Sequence, residues 1–191
     1  MGCDIHWMLE ARQPDGRWRC LAVNYLLHPT DPETGEDVEP TPEQKKMLEG
    51  ISEIRPYADR GEDNPHPLAG LGQRNYWLFW KLAGVRSGPG EPVKHGADSF
   101  AEAGVTDVSD YAKAEEETWD VDGHSFVVYT LAELEQHFGK RGSDVRVAVV
   151  MTEEENYLGD LRSWMDHVRE ICDADYGGDA TALRLLALFD N

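Results

Sequence analysis

The sequence predicts one domain with an α/β fold of the α+β type. We expect a single layer of mixed β-sheet, including an N-terminal hairpin, packed with about four to five helices. Two strand-like segments near the start are separated by the turn residues Pro14-Asp15-Gly16. Further along, apolar strand-like segments are interspersed with segments of helical periodicity. The length of 191 residues suits one folded core, so the domain should span 1–191.

The first predicted strand spans residues 3–11 and has two different sides. One side is apolar and carries Ile5, Trp7 and Leu9. The side chains between them form a mainly polar set, consisting of Asp4, His6, Met8 and Glu10. Because successive side chains of a strand point to opposite faces, the apolar side should enter the core. Residues 17–23 are expected to return as the second strand of the hairpin.

The middle of the chain should alternate between surface loops and helices. Loops rich in Pro, Gly and polar residues are expected at 27–42, 59–72 and 87–98. Thr41 and Gln44 form a capping box that opens a helix to about Ile54. A buried helix is expected over 73–85, with one apolar stripe formed by Tyr76, Phe79, Trp80 and Ala83.

The second half of the chain should contain three further helices and three further strands. These are a helix from its cap Ser109 to Glu117, a strand over 124–129, a helix from the capping box at Thr130 to about Phe138, a strand over 145–151, a helix over 157–172 and a final strand over 183–189. The last segment is ambiguous by periodicity. The Gly177-Gly178 pair before it favours a strand.

The composition narrows the class of partner and compartment. A net charge of −19, from 37 acidic and 18 basic residues, disfavours direct binding of duplex nucleic acid and of anionic membranes. Cys3, Cys20 and Cys172 give neither a disulfide framework nor a structural zinc site. No apolar run approaches the ~20 residues of a membrane span and no secretory signal is visible, so a cytoplasmic location is expected.

Asp4 and His6 are the first candidates for chemistry. Two positions apart on a strand, their side chains leave from the same side. A carboxylate and an imidazole in this arrangement can bind one divalent metal, or can form an Asp–His pair that orients the ring. The alternative is a solvent-exposed polar edge of the sheet. The apolar residues between them favour a buried position, where both groups need partners.

His124 and Ser125 are the second candidates. They follow the Asp122-Gly123 turn at the start of a strand, where a histidine can reach a site on a neighbouring strand. A turn-capping histidine is the alternative. Adjacent side chains diverge on a strand, so we do not expect His124 and Ser125 to form a nucleophile pair of a serine hydrolase.

Arg74, Asn75 and Arg86 form a candidate anion site. Arg74 and Asn75 fall in the first turn of a predicted helix, where the backbone N–H groups and the helix dipole favour an anion. The alternative for the arginines is an ion pair with a surface carboxylate. The sequence contains no glycine-rich phosphate loop, no His-Glu-x-x-His and no Gly-x-Ser-x-Gly pattern.

Several blocks of the sequence resemble, in the same order, a family of uncharacterised proteins of bacteriophages and prophage-bearing bacteria. The blocks are Met1-Gly2-Cys3-Asp4-Ile5-His6, Arg74-Asn75-Tyr76, Leu82-Ala83-Gly84-Val85-Arg86, Asp122-Gly123-His124-Ser125, Thr130-Leu131-Ala132-Glu133-Leu134 and Phe189-Asp190-Asn191. After His124-Ser125 the family often continues with a second His and a Trp, whereas this chain has Phe126 and Val127. The resemblance implies no particular reaction. It implies a phage setting in the cytoplasm of a bacterial host, where a counter-defence role is expected.

Together these residues predict a small metal-assisted hydrolase of a phosphate-bearing or nucleotide-like substrate. The catalytic divalent metal would be held by Asp4, His6 and His124. The substrate would be bound by Arg74, Asn75, Arg86 and Ser125. Two other functions stay open. One is a non-catalytic protein that sequesters a small nucleotide-like ligand through the same residues, and the other is an acidic protein that blocks a host partner through its surface charge.

Overall fold

A computed structural model of the chain describes most, but not all, of its residues. The described residues are 4–29, 31, 34, 36–54, 66–72, 75–86, 88, 90–119, 122–139 and 153–190, with 67, 72 and 153–160 described by their backbone only. The candidate Arg74 and the strand predicted over 145–151 therefore lie outside the described residues.

A five-stranded mixed sheet forms the centre of the fold. Its strands are β1 (Ile5–Arg12), β2 (Trp18–Val23), β3 (Ser52–Glu53), β4 (His124–Thr130) and β5 (Leu183–Phe189). Across the sheet their order is β3-β2-β1-β5-β4. Neighbouring strands are antiparallel, except that β2 and β3 are parallel. The N-terminal hairpin and the mixed sheet confirm the fold class predicted from the sequence.

Five α-helices of the described chain pack on this sheet. They are α1 (Pro42–Leu48), α2 (Tyr76–Ala83), α3 (Asp110–Thr118), α4 (Leu131–Phe138) and α5 (Glu153–Asp175). N-cap side chains set the starts of three of these helices. Thr41 and Thr130 each complete a capping box, and Ser109 caps α3. These starts confirm the predictions made from the same residues. Among the described helices, none is both long enough and apolar enough to cross a membrane.

Two helices differ from the sequence prediction. Helix α1 ends at Leu48 rather than near Ile54, because Gly50 turns the chain at a φ of 78° and 52–53 then pair with β2. In α2, Tyr76 is 41% exposed. Phe79 and Ala83 of the predicted stripe are buried, together with Leu78 and Leu82. The residues of this helix are apolar on almost every face, so periodicity alone could not identify the face that packs against the core.

Part of the expected surface loop at 59–72 enters the core. A 3-10 helix, Pro67–Gly72, buries Leu68 and Leu71 and packs against α5. The described residues of the other two expected loops, 27–42 and 87–98, are exposed or half-buried.

Both faces of β1 and β5 are buried, because helices cover both sides of the sheet. The apolar side of β1 faces a core formed with α2, α4 and α5. The opposite side carries His6, Met8 and Glu10 and is covered by α3 and the chain before it. The alternative of a solvent-exposed polar edge is therefore wrong, since His6 is only 6% exposed.

Glu10 and Arg184 form an ion pair within the covered face. Oε2 of Glu10 lies 2.8 Å from Nε and 2.7 Å from Nη2 of Arg184, and both residues are buried. Oε1 of Glu10 accepts a hydrogen bond from the backbone N–H of Ser109, while Arg184 donates to the carbonyl of Asp107. The pair therefore joins β1, β5 and the chain entering α3.

Replacement of Arg184 should be strongly destabilising. Arg184→Met leaves the Glu10 carboxylate buried without its cation, so the free energy of unfolding should fall by about 3–5 kcal/mol in urea titrations. The matched control is Arg12→Met, because the ion pair of Arg12 with Asp179 is exposed and should contribute less than about 1 kcal/mol. Equal losses in the two variants would contradict a structural role for the buried pair.

Candidate functional site at one end of the sheet

The start of β1, the end of β5 and the start of β4 lie side by side. Phe189 pairs with Ile5 on one side and with His124 on the other. Antiparallel pairing thus brings polar residues from distant parts of the sequence to one end of the sheet. We call this group the polar sheet end; it consists of Asp4, His6, His124, Ser125 and Asp190.

The ring of His6 lies between two carboxylates. Its Nδ1 is 3.1 Å from Oε1 of Glu115 on α3, and its Nε2 is 3.4 Å from Oδ2 of Asp190. The ring also packs between Tyr25 and Trp119, at centroid distances of 4.9 and 4.4 Å. The imidazole is therefore fixed in position from four directions.

Glu115 closes the inner side of this site. It is buried, and its Oε1 accepts a hydrogen bond from Nε1 of Trp119 at 3.2 Å in addition to its contact with His6. Its Oε2 is buried and has no hydrogen-bond partner among the described residues. Burial of a carboxylate is costly unless positive charge or donors compensate, so this position favours a cation nearby.

Asp190 forms the outer side of the site. Its backbone N–H donates to the carbonyl of Asp4, and its Oδ1 accepts the N–H of Asp4 at 2.8 Å. This exchange continues the pairing of β1 and β5 beyond the last ladder pair and leaves Oδ2 facing His6. The side chain of Asp190 is 19% exposed, so Nε2 of His6 lies toward the solvent while Nδ1 lies toward the interior.

Two neutral groups, Tyr111 and Cys20, lie within electrostatic range of Glu115. Burial, together with the charge of Glu115, raises the pKa of Tyr111 well above its ordinary value. Its hydroxyl therefore stays protonated and donates to the carbonyl of Tyr25 at 2.8 Å, which holds Tyr25 against the His6 ring. Burial and the charges of Glu10 and Glu115 likewise raise the pKa of the Cys20 thiol, so Cys20 is a poor nucleophile.

His124 and Ser125 form a strained corner at the start of β4. Nδ1 of His124 lies 2.9 Å from Oγ of Ser125, and Nε2 is buried with no hydrogen-bond partner among the described residues. Ser125 has a φ of 57°, and the ladder with β5 shifts register just after His124. Gly96 packs so closely on Ser125 that a side chain there would collide with it. Such backbone strain is concentrated at functional sites.

His6 and His124 project to opposite faces of the sheet. Leu188, which pairs with His6, belongs to the core under α3, whereas Phe189, which pairs with His124, contacts Phe79 of α2. The described residues, which include all three predicted ligands, contain no group of three or more His, Cys, Asp or Glu side chains placed to hold a metal ion. The described side chains therefore do not assemble the predicted set of Asp4, His6 and His124.

The two described candidates for the anion site, Asn75 and Arg86, flank α2, which contacts Phe189 through Phe79. Asn75 caps α2, and its Oδ1 accepts the N–H of Leu78 at 3.0 Å. Arg86 has a φ of 66°, and its guanidinium lies 5.6 Å from the ring of Tyr76 in the first turn of α2. Asn75 therefore serves the helix itself, while the exposed Arg86 turns back toward the helix start.

The residues that contact His6 were not among the candidates chosen from the sequence. Asp190 occurs in the closing block of the family resemblance, but no spacing connected it with His6. In the sequence, Glu115 is one of four acidic residues in the helix predicted from Ser109 to Glu117. One signal was present: Glu115 follows Tyr111 by four positions and therefore shares the buried face of α3 with it.

No family model, no curated protein and no solved structure matches the chain. Its function is therefore inferred from the residues of the polar sheet end and their surroundings.

The strain at Ser125 can be measured by comparing glycine with alanine at this position. Both substitutions remove the hydroxyl, but only glycine adopts a φ of 57° without steric cost. We expect Ser125→Gly to be more stable than Ser125→Ala by about 1 kcal/mol in denaturant titrations. At the control position Lys113 on α3, alanine should instead be more stable than glycine by about 1 kcal/mol. The same order at both positions would show that Ser125 is unstrained.

Proposed function

We propose that this chain is a metal-assisted hydrolase of a phosphate-bearing or nucleotide-like substrate, with a divalent cation held by Nε2 of His6 and the carboxylate of Asp190. The observation that carries the proposal is the pair of carboxylates at the His6 ring, one beside each nitrogen. Compared with the set expected from the sequence, His6 is retained and Asp190 takes the place of Asp4 and His124 as a ligand.

The contact with Glu115 supports a ligand role for His6. In the proposed state, Nδ1 donates its N–H to the carboxylate of Glu115 and Nε2 keeps its lone pair. Histidines that bind metals almost always donate their other N–H in this way. Nε2 then faces Oδ2 of Asp190, and two atoms with lone pairs attract each other only when a cation lies between them.

The distance between Nε2 and Oδ2 supports the same proposal. At 3.4 Å it is longer than the commonest N–H···O hydrogen bond of about 2.9–3.0 Å. Two ligands about 2.1 Å from one ion, at a tetrahedral angle, are separated by about 3.4 Å. The unsatisfied Oε2 of Glu115 and the net charge of −19 also favour a cation at this position.

The chemistry follows from the charge of the cation. It would lower the pKa of a bound water and polarise a phosphoryl oxygen of the substrate. The water oxygen would form the new bond to phosphorus, the ester P–O bond would break, and the proton of the water would pass to the leaving oxygen. Arg86 lies on the α2 side of the sheet, whereas His6 lies on the side covered by α3, so Arg86 is not assigned to this site.

Metal binding is the first property to measure. We expect the dialysed protein to bind one equivalent of Mn²⁺ in calorimetric titrations. His6→Ala and Asp190→Asn should each weaken binding by about 100-fold or more, because each removes a ligand. Glu115→Gln should weaken it by about 10–100-fold, because the ring loses the carboxylate that orients it.

His167→Ala is the matched control for these titrations. Among the described carboxylates, His167 on α5 contacts Glu170 alone, which is exposed, so its loss should leave Mn²⁺ binding unchanged. Denaturant titrations would confirm that each variant is folded. Stoichiometric Mn²⁺ binding by folded His6→Ala would contradict the proposed ligand.

Turnover should depend on the same two residues. With a p-nitrophenyl phosphodiester and with cyclic nucleotides, we expect Mn²⁺-dependent hydrolysis, and Asp190→Asn should lower kcat/KM by about 100-fold or more. Arg86→Ala should leave kcat and KM nearly unchanged, because Arg86 lies on the α2 side of the sheet and His6 on the opposite side. Metal binding without turnover, with a nucleotide recovered unchanged from the denatured protein, would instead favour the sequestering function.

A further inference from the structure

A second site is suggested by a cleft at the other end of β1, far along the strand from His6. The cleft lies between the β1–β2 turn, the end of α1 and the start of α3, and its volume is about 1050 Å³. The residues that matter for its chemistry are Trp18, Arg19, Lys46, Asp107 and Lys113. None of these belongs to the polar sheet end.

The indole of Trp18 is held as a rigid platform at this cleft. The guanidinium of Arg184 lies 3.7 Å from the centre of the ring, and Nε1 donates to Oδ2 of Asp107 at 3.1 Å. Trp18 is half-buried and lines the cleft. An aromatic ring fixed in this way can stack on a planar ligand without losing further side-chain entropy.

The support behind Trp18 is itself fixed. Arg184 is held by the buried carboxylate of Glu10, and Glu10 also accepts the N–H of Ser109. A buried ion pair is weak support for stability, since apolar residues of similar size often serve as well. Its placement directly behind Trp18 gives the pair a second use, which is to position the indole and to neutralise Asp107.

The cleft is electrically balanced in a chain with a net charge of −19. Four of the 18 basic residues line it, opposed by four carboxylates. Three of those carboxylates are already engaged: Asp15 with Arg17, Asp110 with Lys113, and Asp107 with Arg184. Lys46 makes no ion pair with another described residue, and Arg19 donates to the carbonyl of Glu49. Lys46 and Arg19 therefore outnumber the one remaining carboxylate of the cleft, Glu49.

We propose that this cleft binds a planar aromatic ligand that carries an anionic group, of the nucleoside monophosphate class. The base stacks on Trp18, and Arg19 and Lys46 contact the anionic group. The site is separate from the proposed metal centre and needs no metal, so it does not depend on the hydrolase function.

The test uses adenosine 5′-monophosphate as the probe, with the full chain in EDTA so that no cation occupies the His6 site. We expect saturable binding by equilibrium dialysis at millimolar probe or below. Trp18→Leu should weaken binding by about tenfold or more, as loss of a stacking partner does. Lys46→Glu should weaken it by about fivefold or more.

Two controls separate this site from general charge and from the metal centre. Lys45→Glu changes the neighbouring lysine, which pairs with Glu39 away from the cleft, and should leave binding unchanged, as should His6→Ala. Because Trp18→Leu also alters packing, Lys46→Glu on the surface of α1 is the decisive variant. Absence of saturable binding, equal losses from Lys45→Glu and Lys46→Glu, or inorganic phosphate binding as tightly as the nucleotide would overturn the proposal.

Discussion

The pairing of β5 on both of its edges is the constraint on which the rest of the structure depends. All seven residues of β5 are buried, and the strand joins the N-terminal hairpin to β4. Its register with β1 sets Leu188 opposite His6 and carries Asp190 to the open side of the His6 ring. A slip of one residue would exchange the two faces of β5 and separate Asp190 from His6. The candidate metal site is therefore a consequence of strand register.

Local signals in the sequence predicted the elements well, whereas features that depend on packing were harder to predict. Capping boxes at Thr41 and Thr130 act within four residues, so they could be read directly. The buried face of α2 depends on the elements that pack against the helix, because its own residues are apolar on almost every face. The burial of Leu68 and Leu71 depends on α5, which follows much later in the chain.

The same distinction applies to the site. The alternation along β1 was enough to select His6 and to expect a buried position for it. Its partners Glu115 and Asp190 are 109 and 184 residues away, so only the tertiary fold brings them together. The face on which His124 lies depends on the register shift next to Ser125, which no local pattern revealed. The sequence therefore identified His6, around which the proposed site is built, but not its partners Glu115 and Asp190.

The proposed metal site requires that Nδ1 of His6 donates to Glu115 while Nε2 is left to bind a cation with Asp190. The most direct measurement is the ¹⁵N NMR spectrum of the His6 ring in EDTA and after addition of Zn²⁺. We predict a protonated Nδ1 and an unprotonated Nε2 in EDTA, and a Zn²⁺-induced shift of Nε2 that Asp190→Asn abolishes. A ring that is protonated on both nitrogens and unaffected by Zn²⁺ would contradict the claim, because Asp190 and Glu115 would then simply enclose an imidazolium.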